Sequence, residues 1–258
     1  MKSNALNQKR QKSGMTTNVM VRAALFTAIS ILLKLVFEIY IPLAGLPALR
    51  INLTSVPIIL SGIICGPLAG LITGALSDIL CFIIKPAGPF FPGFTLTSAL
   101  TGLIPGLIYK YFKKDRNFNI INTITVLMIA GGCISVLITK GVLWIQDSQL
   151  MYNNKPLNII YIVIFTVLVV AYIYIPVKLT KIEDKKIRMD KILFAVSVTQ
   201  MITSLILNTY FLSVLFGKGF LIFLPGRVLT NFILIPMYSI ITATILKIDQ
   251  AILTKTNY

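Results

Sequence analysis

The chain has 258 residues, 56% of them hydrophobic and 12% charged, with a net charge of +16 at pH 7. That charged share is far below the roughly 25% of soluble proteins, which excludes an ordinary soluble domain. Most of the 24 Lys and Arg stand in short clusters between apolar runs, a membrane-topology pattern rather than a nucleic-acid surface.

Residues 1–17 form a basic tail with Lys2, Lys9, Arg10 and Lys12. Lacking a compact apolar stretch and a small-residue cleavage site, it reads as a solvated cytoplasmic segment and not as a signal peptide. Eight apolar spans follow, over residues 18–40, 52–66, 67–85, 94–112, 118–143, 157–177, 191–215 and 222–246. The expected fold class is therefore an all-α polytopic membrane protein. The first span carries Ala24-Leu-Phe-Thr-Ala28, two small residues one turn apart that permit close helix approach. It also carries Lys34 and Glu38 at i,i+4, for which mutual neutralisation is the simplest account. Gly66-Pro67 separates the second and third spans, Pro67 standing where a helix tolerates a missing N–H. Cys65, Cys81 and Cys133 lie singly in apolar stretches and read as buried thiols, without the spacing of a disulfide framework or a metal site.

Charge sets the orientation. The tail through Arg22, the stretch Lys110 to Arg116, the stretch Lys178 to Lys191, and Lys247 with Lys255 hold 17 of the 24 Lys and Arg. An even number of spans places all four clusters on one side, so both termini are expected in the cytoplasm. Six of the other seven cations, Arg50, Lys85, Lys140, Lys155, Lys218 and Arg227, fall near the opposite ends of spans. Lys140 and Lys155 are readily explained by snorkelling to the headgroups. Arg50, Lys85, Lys218 and Arg227 stand beside Gly-, Pro- and aromatic-rich segments, where a ligand or a structural carboxylate partner would account for them.

Those segments hold the remaining polar candidates. The fourth span begins near Phe94-Thr95, and its free N–H groups favour an anion. Thr95 or Thr97 would cap that helix. Phe90, Phe91 and Phe94 would stack on a flat ring or form an interfacial belt. Asn208, in Asn208-Thr-Tyr210, must find partners inside an apolar span, either on another helix or on a heterocycle with a mixed donor and acceptor edge. Asp78 is a second buried ionisable group, with Lys85, Arg227 or a ligand amine as possible partners. The expected substrate-binding set is Arg50, Asp78, Phe94, Asn208, Tyr210, Lys218 and Arg227.

The sequence contains no His, no phosphate-binding Gly-rich loop of the nucleotide-hydrolase type and no chain of intramembrane carboxylates. No catalytic group, metal or cofactor is expected. The chain reads as a binder of an anionic ring compound without machinery to transform or energise it.

Taken together, Leu49-Arg-Ile-Asn through Pro57, Cys65-Gly-Pro-Leu-Ala-Gly70, Gly74-Ala-Leu-Ser-Asp78, Pro92-Gly-Phe-Thr95, Leu207-Asn-Thr209 and the stretch Gly217-Lys218 to Arg227 resemble the substrate-binding S components of energy-coupling factor (ECF) vitamin transporters, folate branch. The resemblance covers roughly residues 16–116 and 190–250. It implies a six-helix core binding vitamin from outside, and docking through Ala24 and Ala28 onto a transmembrane coupling subunit that carries two ATPases. It implies a pterin held by aromatic and amide groups and a glutamate tail met by Arg and Lys, with Arg50 and Arg227 for carboxylates, Phe94 for stacking and Asn208 for the ring edge. The chain departs from that family by two added spans. The expected organisation is a tail (1–17), four core helices (18–116), an inserted helix pair with a cytoplasmic loop (117–189), and two last core helices with a C-terminal tail (190–258). Folate or a related vitamin, the coupling subunit, the ATPases and the bilayer of a prokaryotic plasma membrane are the implied partners, and nucleic acid is not. Other readings are an S component for another vitamin or a queuosine precursor, and a stand-alone secondary transporter or membrane enzyme.

Overall fold

The computed structural model describes residues 16–43, 46–86, 88–112, 118–139, 143–146, 149–152, 155–156, 188–217 and 219–256, and the single positions 163, 167, 170 and 174. Helix α1 (Thr17–Phe37) leads into an antiparallel hairpin, β1 (Ile39–Leu43) and β2 (Leu46–Ile51). Then come α2 (Ser55–Cys65), α3 (Pro67–Ile84), α4 (Pro92–Tyr111) and α5 (Phe118–Thr139). A second small sheet, β3 (Leu143–Gln146), β4 (Gln149–Tyr152) and β5 (Lys155–Pro156), follows α5. The last elements are α6 (Met189–Gln200), a π-helical segment (Met201–Asn208), α7 (Thr209–Phe216) and α8 (Phe220–Thr256).

The fold is helical, as expected, and the hairpins were not anticipated. Among the described residues four helical stretches are long and apolar enough to span a bilayer: Thr17–Phe37, Pro67–Ile84, Met189–Phe216 and Gly226–Asp249. The 94–112 and 118–143 expectations correspond to α4 and α5. Of the expected span 157–177, only Val163, Val167, Val170 and Tyr174 are described, all helical and exposed. The second expected span is a half-helix. Its 11 residues rise roughly 16 Å, about half of a hydrocarbon core of roughly 30 Å. Span one also stops early. Glu38, its C-cap, has ψ 115°, and the next residues pair as strand.

Glycines bring α2, α3 and α4 into backbone contact. A Cβ on Gly102 would lie 2.0 Å from the Gly70 carbonyl oxygen, one on Gly74 2.0 Å from that of Ser98, and one on Gly62 2.1 Å from that of Gly102. Such close approach is how helices associate where lipid removes the hydrophobic drive between them. Gly66, at φ 100°, makes the tight reversal from α2 into Pro67 at the start of α3. Helix α1 packs through Ala23, Thr27 and Ser30, which are buried at i, i+4 and i+7. Hydroxyls stitch it in place: Ser30 Oγ donates to the Thr54 carbonyl at 3.2 Å, Thr73 Oγ1 donates to that of Ala23 at 3.5 Å, and Ser61 and Thr73 hydroxyls lie 2.8 Å apart.

At the end carrying Arg22, Lys110 and Lys191, Asp190 is 5% exposed and collects four donors. They are the Arg188 guanidinium (two bonds, the Nε one at 3.1 Å), the Lys191 N–H at 2.8 Å, and the Phe118 N–H at 3.4 Å, the last at the start of α5. Lys191 Nζ donates to the carbonyls of Tyr109 and Phe112 at 3.1 and 3.0 Å, closing the C-terminal end of α4. Phe118, fully buried, packs with Phe112 and Phe194.

Candidate ligand-binding site

The opposite end of the bundle holds a cavity of about 120 Å³. It lies between the C-terminal halves of α1 and α3, the N-terminal ends of α2 and α4, the π-helical segment and α8. Its wall is polar to an extent unusual inside apolar helices. Lys34, Glu38, Asp78 and Arg227 bring charge, Asn52, Gln200 and Asn208 bring amides, and Thr54, Ser55, Thr97, Ser98, Thr101, Thr203, Ser204 and Tyr238 bring hydroxyls. A second cavity of about 70 Å³ shares Lys34, Glu38, Asp78, Phe94 and Leu212 with the first; Lys85 also lines it, and the rest of its wall is aromatic and apolar, with Phe82, Phe90, Phe91 and Phe216.

Local sequence explains how each group is delivered. Asn52 Oδ1 accepts the Thr54 N–H at 3.1 Å, a side-chain turn that starts α2. The Tyr238 hydroxyl, on the buried face of α8, donates to the Asn52 carbonyl and pins that turn. The π-helical segment widens α6 just where Thr203, Ser204 and Asn208 reach the cavity. Such widened turns recur at functional sites because they re-aim side chains. Arg227 is 8% exposed, and its guanidinium donates to Ser204 Oγ at 3.4 Å.

Four of the seven expected residues line the cavity: Asp78, Phe94, Asn208 and Arg227. Arg50 is placed by its backbone alone, paired across the hairpin with Tyr40. Lys218 lies outside the described residues. Tyr210 stands apart from the cavity. It is 56% exposed and its ring packs on Phe211, because two residues along a helix turn the side chain to the opposite side from Asn208.

Several expected pairings are revised. Lys34 does not neutralise Glu38; its Nζ donates to Asp78 Oδ1 at 3.2 Å, with both side chains largely buried. Asp78 Oδ2 accepts the Thr95 hydroxyl at 2.9 Å, so Asp78 ties α1, α3 and α4 together, and Lys85 is exposed. Neither threonine caps α4, whose N-cap is Phe91. Thr97 Oγ1 instead lies 2.8 Å from the Phe94 carbonyl and 2.9 Å from Asn208 Oδ1, holding the amide across the cavity from α4. Phe94 joins Phe91 and Phe211 in an aromatic cluster, the Phe94–Phe211 contact being edge-on at 6.4 Å. Cys81 is buried and Cys65 half-buried, both as free thiols; the Cys133 side chain lies outside the described residues.

Sequence reasoning missed Glu38, Gln200, Thr203, Ser204 and Tyr238 as cavity residues. The signal was present for three of them. Thr203 and Ser204 stand three and four residues after Gln200, and Asn208 four after Ser204, one polar stripe along a largely apolar span.

Comparison with known proteins agrees with this architecture. The family model described as "ECF transporter, substrate-specific component" matches residues 18–164. The chain is 34% identical over 128 residues to the folate transporter FolT of Clostridium novyi (strain NT), covering 49% of this chain and 69% of that protein. It is also similar in fold to a crystal structure of FolT bound with folic acid, with a TM-score of 0.51 and 18% identity, covering 88% of this chain and 93% of that one. The chain belongs to the family of ECF transporter substrate-specific components, membrane proteins that serve transport rather than catalysis.

Proposed function

We propose that this chain is the folate-capturing subunit of an ECF-type importer in a prokaryotic plasma membrane. The observation that carries the reading is the polar cavity at the end of the bundle away from the basic clusters. It combines an amide, an arginine and an aromatic ring in a protein whose relative is a folate transporter. Positive-inside bias puts both termini in the cytoplasm and this cavity toward the exterior. Phe94 stacks on the pterin, Asn208 hydrogen-bonds its edge, and Arg227 with Arg50 meets the glutamate carboxylates, Asp78 shaping the wall between them. Tyr210 follows Asn208 in the segment flanking this site, and Lys218 keeps its proposed role as a further cation for the ligand tail.

Transport then requires partners, since the chain carries no nucleotide-binding motif. Ala24 and Ala28 are exposed on the face of α1 away from its buried Ala23, Thr27 and Ser30. That open face suits docking onto a coupling subunit with two ATPases. The test is equilibrium binding of folic acid and 5-formyltetrahydrofolate to the purified full chain in detergent. Binding near 1:1 without ATP is expected, and Asn208→Leu should weaken it about tenfold in a chain that still folds. A folded chain that binds neither compound overturns the folate assignment and redirects it to other vitamins.

A further inference from the structure

Glu38 is the cavity residue whose chemistry is least accounted for. It caps α1, lines both cavities, and its Oε1 is fully buried without a hydrogen-bond partner among the described residues. Lys34, the cation one turn earlier, is turned to Asp78 instead. A carboxylate is an acceptor only, and a buried one without donors is costly, so such a group calls for an N–H or O–H brought to it. The neighbouring acceptors are already engaged: Asp78 by Lys34 and Thr95, and Asn208 Oδ1 by Thr97.

Resting on the folate reading, we propose that Glu38 is a specificity-determining residue. Its carboxylate accepts the paired donors of a 2-amino-4-oxopyrimidine ring, the ring N–H and the adjacent exocyclic NH2. Two coplanar acceptors facing two coplanar donors is the bidentate arrangement that gives carboxylates their geometric selectivity. An anion at this wall also repels the carboxylates of the ligand tail, so it orients the ring inward and the tail toward the cations. Asn208 then serves the acceptor side of the ring through its NH2 group.

The test compares folic acid with its 2-desamino-2-methyl analogue, by calorimetry on the detergent-solubilised full chain and on Glu38→Gln. The wild-type chain should bind folic acid about 10- to 100-fold more tightly than the analogue, the worth of a hydrogen bond to a charged group. Glu38→Gln should lower folic acid affinity by a similar factor and leave the analogue within about threefold, closing the gap. Equal wild-type affinity for the two ligands overturns the inference without need of any variant. So does a variant that loses both ligands by the same factor, or one that keeps the wild-type discrimination. A wild-type chain that binds neither compound overturns the folate reading itself, and this inference with it.

Discussion

At the residue scale, the pairing of Lys34 with Asp78 shows why a contact inside a membrane bundle is hard to read from spacing. Lys34 and Glu38 are four apart and of opposite sign, which on a continuous helix would make them neighbours. The helix ends at Phe37 and Glu38 leaves with extended backbone, so the i,i+4 relation is broken at its second member. Lys34 turns instead to Asp78 on α3, both side chains under one-fifth exposed. Removing one partner of such a pair strands the other charge, whereas removing both does not. Lys34→Met alone should therefore lower stability by about 2 kcal/mol, and Lys34→Met/Asp78→Leu should recover more than half of that loss. Thermal melting of the variants in detergent measures it; a double variant as unstable as the single would show that Thr95 or the cavity wall depends on the carboxylate itself. Asp78, Phe94, Asn208 and Arg227 were legible as cavity residues because a polar or aromatic group in an apolar span needs a reason. Glu38 and Tyr238 were not: Glu38 resembled half of an ordinary helical ion pair, and no pattern singled out Tyr238 within its apolar span.

At the element scale, small residues decided the packing, but not where the sequence first drew attention. Ala24 and Ala28 lie on the open face of α1, while contact with the core runs through Ala23, Thr27 and Ser30. The tightest joints belong to Gly70 and Gly74 on α3 and to Ser98, Gly102 and Gly106 on α4, again four apart. A methyl on Gly102 meets the carbonyl of Gly70, a backbone group that cannot move aside without parting the helices. Gly102→Ala should accordingly reduce the yield of folded monomer several-fold and lower its melting temperature. Gly131→Ala on α5, where an added Cβ meets no described residue within 4 Å, should be neutral or gain up to about 1 kcal/mol from helix propensity. Size-exclusion yield and melting of both variants test the contrast, and equal behaviour would remove the glycine joint as a determinant of the fold. The β1–β2 hairpin was hidden for a different reason: its residues are as apolar as a span, and only Pro42, Gly45 and Pro47 mark the break. The π-helical segment leaves no mark in side-chain pattern at all, because an i→i+5 backbone register is set by what the helix packs against.

At the scale of the whole molecule, the residues that build the cavity bear on what the proposed inserted helix pair does. The cavity's described wall comes from α1 to α4, the end of α6, the π-helical segment, α7 and α8, and among the described residues none between 117 and 189 lines it. The proposed insertion is nonetheless anchored. Phe118 is fully buried and its N–H bonds to Asp190, so the first turn of α5 belongs to the core at the end opposite the cavity. Beyond the buried Asn122 the described part of α5 becomes largely exposed, with Ile124, Leu127, Met128 and Ile138 all open. Replacing residues 124–186 by a flexible linker of about ten residues, which keeps both Phe118 and the Arg188–Asp190 pair, should therefore leave ligand affinity within about threefold of wild type. A linker of that length has a root-mean-square reach of roughly 17 Å, enough to join two chain ends at one face of the bundle. If the shortened chain folds and binds as wild type, the added pair acts on docking or membrane placement, and uptake assays with the coupling subunits become the place to find its role. If it folds and loses affinity, the pair supports the cavity across the length of the bundle, through the Asp190 anchor and the α6 helix that continues into Asn208.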